Sequence, residues 1–373
     1  MKKYIHYIII GIASLLTFIG CDVHEFPEPN QELVPFLLHL DFDTEMPIYD
    51  IITRGDDAET KAQASKYDVR YTINAYRTEK ARTESRQPDA TFIFTKSNVN
   101  ELNYTAALEL PEGTYTFRVW ADYVDAESKE DKYYNTQNFE EIILANRENH
   151  PGSNDYRDAF RGYATSEVTN TATLRGAILQ SVENEITVEM KRPMGKFKVI
   201  STDVEMFLGR VALLMKEQGL LPGIDVETKT GTDADTKAYY EQLLQSINLG
   251  YYSVIFRYNT FMPCSFNMFT DRPADSWTGV SFVSPMFIEG EYEMNMGYDY
   301  IFVNGSETTV NLSLEVRNKA GELIASSIPF DVPIVRSKLT IVKGNFLTTK
   351  ATGGVSINPG YEGEDFDIDI TIR

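Results

Sequence analysis

Apolar and polar positions alternate with a period of two along most of this chain, the pattern of half-buried β-strands. Residues 33–42 form an apolar, extended run and predict a first strand. In residues 67–77, Val69, Tyr71, Ile73 and Ala75 share one face, and Phe92 and Phe94 alternate in a shorter run. Residues 104–110 end at Pro111-Glu112-Gly113, a turn in which glycine relieves the backbone. Tyr115, Phe117, Val119 and Ala121 then oppose Thr116, Arg118 and Trp120. Residues 142–144 add a short run, 146–158 read as loop, and Ile186, Val188 and Met190 close the series before Arg192-Pro193.

A second series follows. Strands are expected at 196–202, 251–258, 279–283, 291–303, 308–316, 322–330 and 338–342. The last is expected at 366–372, with Phe366, Ile368, Ile370 and Ile372 toward a core and Asp367, Asp369 and Thr371 outward. Two helices interrupt the strands. Asp203 is placed to N-cap one that runs through Arg210. Ala238, Tyr239, Leu243, Leu244 and Ile247 lie near helical spacing in 236–247, after a loop over 219–235. Many short strands separated by turn signals make an all-β protein of two tandem β-sandwich domains with minor helical insertions. The division is expected at 190–196, because Pro193 holds Arg192 extended. It gives domains over 33–192 and 193–373, and pieces 30–192 and 193–373 should each yield β-rich spectra.

The N-terminus departs from this pattern. Lys2 and Lys3 precede an apolar run over 4–19, closed by Phe18-Ile19-Gly20-Cys21. A basic start, an apolar core and a small residue before the cut form a secretory signal. The run is near the lower length limit for a spanning helix, and Asp22, Glu25, Pro27 and Pro29 follow at once. The cysteine makes it a lipoprotein signal: residues 1–20 are removed, Cys21 is lipidated, and acidic, proline-bearing residues 21–32 tether lipid to body. Several acyl chains anchor stably, at about 0.8 kcal/mol per buried methylene. Loss of Lys2 and Lys3 takes the formal charge from −20 to −22, which excludes nucleic acid and electrostatic docking on anionic lipid. Cys264 is then the other cysteine, so no internal disulfide forms; among Phe261, Met262 and Phe266 it reads as a small buried hydrophobe.

Catalytic signatures are absent: there is no HExxH, CxxC, Walker loop, GxSxG or GxGxxG. No cofactor and no metal are implied. Of four histidines, His6 leaves with the signal and His24 sits in the tether; His39, in an apolar strand, reads as a structural residue, and His150 remains. A glycosidase needs two carboxyls about 5–9 Å apart, which abundant acids such as Glu140-Glu141 do not identify. The cluster Asn154-Asp155-Tyr156-Arg157-Asp158-Ala159-Phe160-Arg161-Gly162-Tyr163 is the most site-like. It reads as a buried Arg–Asp network bracing a loop, with carboxylate ligation of a cation as the alternative. Trp277, between turn residues, is the candidate ligand contact: it could stack on a sugar or cap a core edge. Arg54-Gly55-Asp56 reads as a chance loop tripeptide rather than a receptor motif.

Several stretches resemble the fimbrillin superfamily of Bacteroidales surface lipoproteins: residues 21–27 after the lipobox, Gly113-Thr114-Tyr115-Thr116-Phe117-Arg118-Val119-Trp120-Ala121-Asp122-Tyr123-Val124, 133–136, 154–162, 190–196, 339–345 and 353–360. Residues 219–249 are longer than that pattern. The resemblance implies two transthyretin-like sandwiches and a cell-surface lipoprotein of the outer membrane, a pilus anchor or minor subunit in adhesion or pilus assembly. It carries over no catalytic residues. It implies pilin subunits as partners through β-strand addition, in which a cut after an arginine frees a groove. Arg54 follows the first strand, but a cut there would release the body from its lipid, so residues 33–42 are expected to stay. A glycan-binding surface lipoprotein is the alternative, on aromatic richness (22 Tyr, 21 Phe) and Trp277.

Overall fold

The computed structural model describes residues 32–43, 65–78, 86–169, 184–220, 234–349 and 368–373. The signal, Cys21, Arg54 and Phe366 lie outside the described residues, as does all of the tether except residue 32.

Among the described residues, the first part of the chain gives nine strands. They are β1 (Leu33–Phe42), β2 (Tyr67–Arg77), β3 (Ala90–Lys96), β4 (Tyr104–Pro111), β5 (Gly113–Asp125), β6 (Tyr134–Asn135), β7 (Ile142–Leu144), β8 (Phe160–Val168) and β9 (Asn184–Met190). The sheet β4-β1-β9 faces the sheet β3-β2-β5-β8. β1 is the middle strand of its sheet, antiparallel to β4 and parallel to β9. Its alternation sends Val34, Phe36, Leu38, Leu40 and Phe42 into the core. Across the layer Phe36 meets Phe117 at 5.5 Å, and Phe42 packs edge-on to Tyr71 and Phe160. β2 is buried on both faces. Its second face is polar: Arg70 makes a two-pronged pair with Asp122 at 3.0 and 2.7 Å and reaches Asp131 at 2.6 Å, while the buried Thr72 hydroxyl has no partner among the described residues.

The second part carries β10 (Met194–Ser201), β11 (Tyr252–Tyr258), β12 (Met262–Pro263), β13 (Ser265–Asn267), β14 (Arg272–Pro273), β15 (Ser276–Trp277) and β16 (Ser281–Pro285). After them come β17 (Phe287–Gly290), β18 (Glu293–Phe302), β19 (Glu307–Asn318), β20 (Leu323–Ser326), β21 (Phe330–Val335), β22 (Leu339–Gly344) and β23 (Ile368–Ile372). The sheet β17-β18-β10-β22-β23 lies against β16-β11-β19-β20, with β21 also paired to β19. Phe197 and Phe256 meet between the layers at 6.2 Å. Gly297 lies opposite the register shift between Val199 and Ile200. Its φ is +144°, and a Cβ there would sit 2.6 Å from the Phe256 ring, so this position requires glycine.

Helices α1 (Val204–Glu217) and α2 (Ala234–Ser246) stand between β10 and β11. Val204, Phe207, Leu208, Val211 and Ala212 form the buried stripe of α1, which carries it past Arg210. Asp203 precedes α1 but does not cap it with its side chain. Its buried carboxylate instead accepts from Ser201 Oγ, the Leu347 and Thr348 amides and Thr348 Oγ1. The expected 322–330 strand divides into β20 and β21, interrupted around Pro329. A larger correction concerns β23. It forms as expected and pairs with β22, yet Ile370 and Ile372 are 38% and 44% exposed. Among the described residues of β23, Ile368 alone packs, half-buried, against the core. β23 is an outermost strand of its sheet, and no opposing layer among the described residues covers its far end.

The two sets of strands meet in a further sheet. β7 from the first part pairs with β13 from the second, giving β14-β13-β7-β6. That junction positions the polar cluster described next.

Candidate functional site

Residues 150–161 run from the end of the long loop into β8, and their charges alternate. Asn154 accepts from the Tyr156 amide and so caps a single 3-10 turn at Asp155–Arg157. That turn aims successive side chains in different directions. Asp155 accepts from Lys196 Nζ at 2.7 Å, from the Tyr298 hydroxyl at 2.8 Å and from the Tyr300 hydroxyl at 3.2 Å. Lys196 Nζ also lies 4.2 Å from the centre of the Tyr298 ring. Arg157 pairs with Asp299 and donates to the Tyr300 carbonyl at 3.2 Å. Asp158 is fully buried and faces Arg192, whose Nε and Nη2 lie 2.9 and 2.8 Å from its oxygens. Burial pushes the Asp158 carboxyl upward against the pull of Arg192. Arg161 grips Asp271 with two hydrogen bonds of 2.7 and 2.9 Å, and Arg336 reaches the same carboxylate at 2.7 Å.

His150 completes the cluster. Its Nε2 lies 2.6 Å from Asp299 Oδ2, to which the Tyr258 hydroxyl also donates at 2.6 Å. Burial and the neighbouring Arg157 charge push its pKa down to about 2. The ring is therefore neutral at ordinary pH; its Nε2 also lies 3.0 Å from Arg157 Nη1, and its Nδ1 has no hydrogen-bond partner among the described residues. The cluster is the bracing network expected of residues 154–163. Among the described residues no group of three or more His, Cys, Asp or Glu is placed to hold a metal ion. His150 is enclosed and hydrogen-bonded, with no surface from which a substrate proton could be taken.

The other candidates lie apart from it. Trp277 stands on β15 opposite Met262, half-buried against the core. The Arg147 guanidinium is 6.0 Å from its ring centre and donates to the Thr278 carbonyl at 2.9 Å. Cys264 is buried and unpaired, and burial pushes its thiol up to about 12. His39 lies on the half-exposed side of β1, 3.0 Å from Thr105 Oγ1. Sequence reasoning singled out residues 154–163 but not His150, Asp271 or Asp299. The local alternation of charge was visible, whereas partners more than 100 positions away carry no local signal.

The chain matches the Family of unknown function (DUF6562) over residues 30–372. No curated protein matches it. Among solved structures it is similar to the fimbrial anchor protein Mfa2 from Porphyromonas gingivalis, at 11% identity and a TM-score of 0.36, covering 83% of this chain and 91% of that one. A candidate cell adhesion protein from Bacteroides ovatus superposes with a TM-score of 0.41 at 10% identity, over 91% of this chain and 97% of that one. For a candidate polysaccharide binding protein from Bacteroides thetaiotaomicron the values are 0.39 and 11%, over 84% and 92%. Superposition at this level speaks to neither partner nor activity.

Proposed function

The chain belongs to this family of unknown function, and from that premise we propose that it is a non-enzymatic, lipid-anchored protein of the cell surface. Its role is that of a fimbrillin-like pilus anchor or accessory subunit in adhesion or pilus assembly, at the outer membrane. One observation carries the reading. The strand that starts twelve positions after Cys21 is β1, and it is the middle strand of its sheet, hydrogen-bonded to β4 and β9. A lipid on Cys21 would thus be joined through residues 22–32 to the centre of a sandwich. A pull on the body is borne by a strand paired along both edges, which suits an anchor. Removing β1 after a cut at Arg54 would open both of those edges and free the body from the membrane.

The fimbrillin-like stretches support the same reading by where they fall. Residues 113–124 lie in β5, 190–196 cross the junction, and 154–162 hold the buried polar cluster. The division at 192/193 into two sandwiches is part of the proposal.

A glycan-binding surface lipoprotein is the second reading, favoured by Trp277. Its ring lies between the core and Arg147, and a sugar would have to displace that arginine to stack. Capture of pilin subunits by the purified chain, set beside a glycan array, separates the two. The account expects a pilin partner and no saturable glycan binding. Glycan binding abolished by Trp277→Ala, without any pilin partner, would reverse it.

A further inference from the structure

Segment 150–161 joins parts of the chain far apart in sequence, and its charges are satisfied mostly from across the junction. His150 and Arg157 meet Asp299 on β18; Asp155 meets Lys196 on β10 together with Tyr298 and Tyr300. Arg161 meets Asp271, between β13 and β14. The backbone takes part: the Ser153 amide donates to the Tyr298 carbonyl at 2.7 Å, and Ser153 Oγ lies 2.7 Å from Ser284 Oγ. Gly152 packs so closely on the second sandwich that a Cβ would fall 2.3 Å from the Phe282 ring. Outside the segment, Arg118 donates to the Met268 carbonyl, and β7 pairs with β13.

We propose that segment 150–161 is a clasp that makes the two sandwiches open and unfold as one unit. Asp299, Arg157, Asp155 and Lys196 are buried, and each finds its opposite charge across the junction. Separating the sandwiches would leave these ions without partners until water reached them, and a buried ion without a partner is strongly unfavourable. The clasp goes beyond the anchor proposal and does not depend on lipid or partner. It gives the molecule a stiff axis, through which a force applied to one sandwich reaches the other.

Calorimetry of the full chain tests it. The wild-type protein is expected to melt in one transition, with calorimetric and van't Hoff enthalpies equal. Asp299→Asn leaves Arg157 without its counter-charge and should split the melt into two transitions. It should also raise the rate of tryptic cleavage at exposed Arg147 by tenfold or more. Gly152→Ala introduces no charge and should loosen the same contact, with a smaller rise in cleavage. Two separate transitions in the wild-type protein would overturn the proposal even if Asp299→Asn failed to fold. So would a Gly152→Ala protein with unchanged melting and unchanged cleavage.

Discussion

His150 shows how one side chain ties the fold to pH. In the unfolded chain its imidazole takes a proton near pH 6.5, but in the folded protein only near pH 2. The unfolded state therefore binds the extra proton over that window, and stability is lost as pH falls from about 6.5 toward 2. Asp158 acts with the opposite sign, since its raised pKa lets the folded state take a proton first. His150→Gln keeps Asp158, so between about pH 6.5 and 5 the difference between it and the wild-type protein isolates the histidine contribution. The melting temperature of the wild-type protein should drop across that interval more steeply than that of His150→Gln. Coincident slopes in the two proteins would show that His150 is not held neutral. The cluster also marks a limit of sequence reading at this scale. Asp155, Arg157 and Asp158 declare themselves as a charged, aromatic-flanked run, but His150 looks like any loop histidine until β18 brings Asp299 to within 2.6 Å.

At the scale of elements, long strands with one covered face were legible. β1 and β2 have the bounds that alternation predicted, because each must place five or so apolar side chains in one layer. β6, β12, β14 and β15 are two residues long, and two residues have no period to read. Asp203 was legible as a helix boundary but not as the ligand of the 347–348 amides, which come from a turn about 145 positions later. β23 is the instructive failure. Alternation of Ile368, Ile370 and Ile372 shows that the strand has an apolar face, but not that a second layer covers it. Truncation after Asp365 consequently removes edge pairing and one half-buried isoleucine, a loss of about 1–2 kcal/mol. The chain should keep its single cooperative melt, lowered by roughly 1–4 °C. Disappearance of that transition in circular dichroism melts would mean that the C-terminal strand is integral to the core after all.

At the scale of the whole molecule, a formal charge of −20 opposes long-range attraction to anionic lipid. Among the described residues no helix is long and apolar enough to cross a bilayer. On the proposed reading, attachment rests on one atom, the Cys21 sulfur, with residues 22–32 leading from it to the central strand β1. Shaving intact cells with protease should digest the body, as expected of a surface-exposed protein bearing Asp22 and Glu25 after the cysteine. Complete protection would put it on the periplasmic face. The most direct test is mass spectrometry of the N-terminal peptide from protein purified out of membranes. The account predicts a chain that begins at Cys21, carries diacylglycerol on the thiol and continues unbroken through Arg54. A chain that begins at Gly55, or an unmodified Cys21 in a membrane-bound protein, would contradict it.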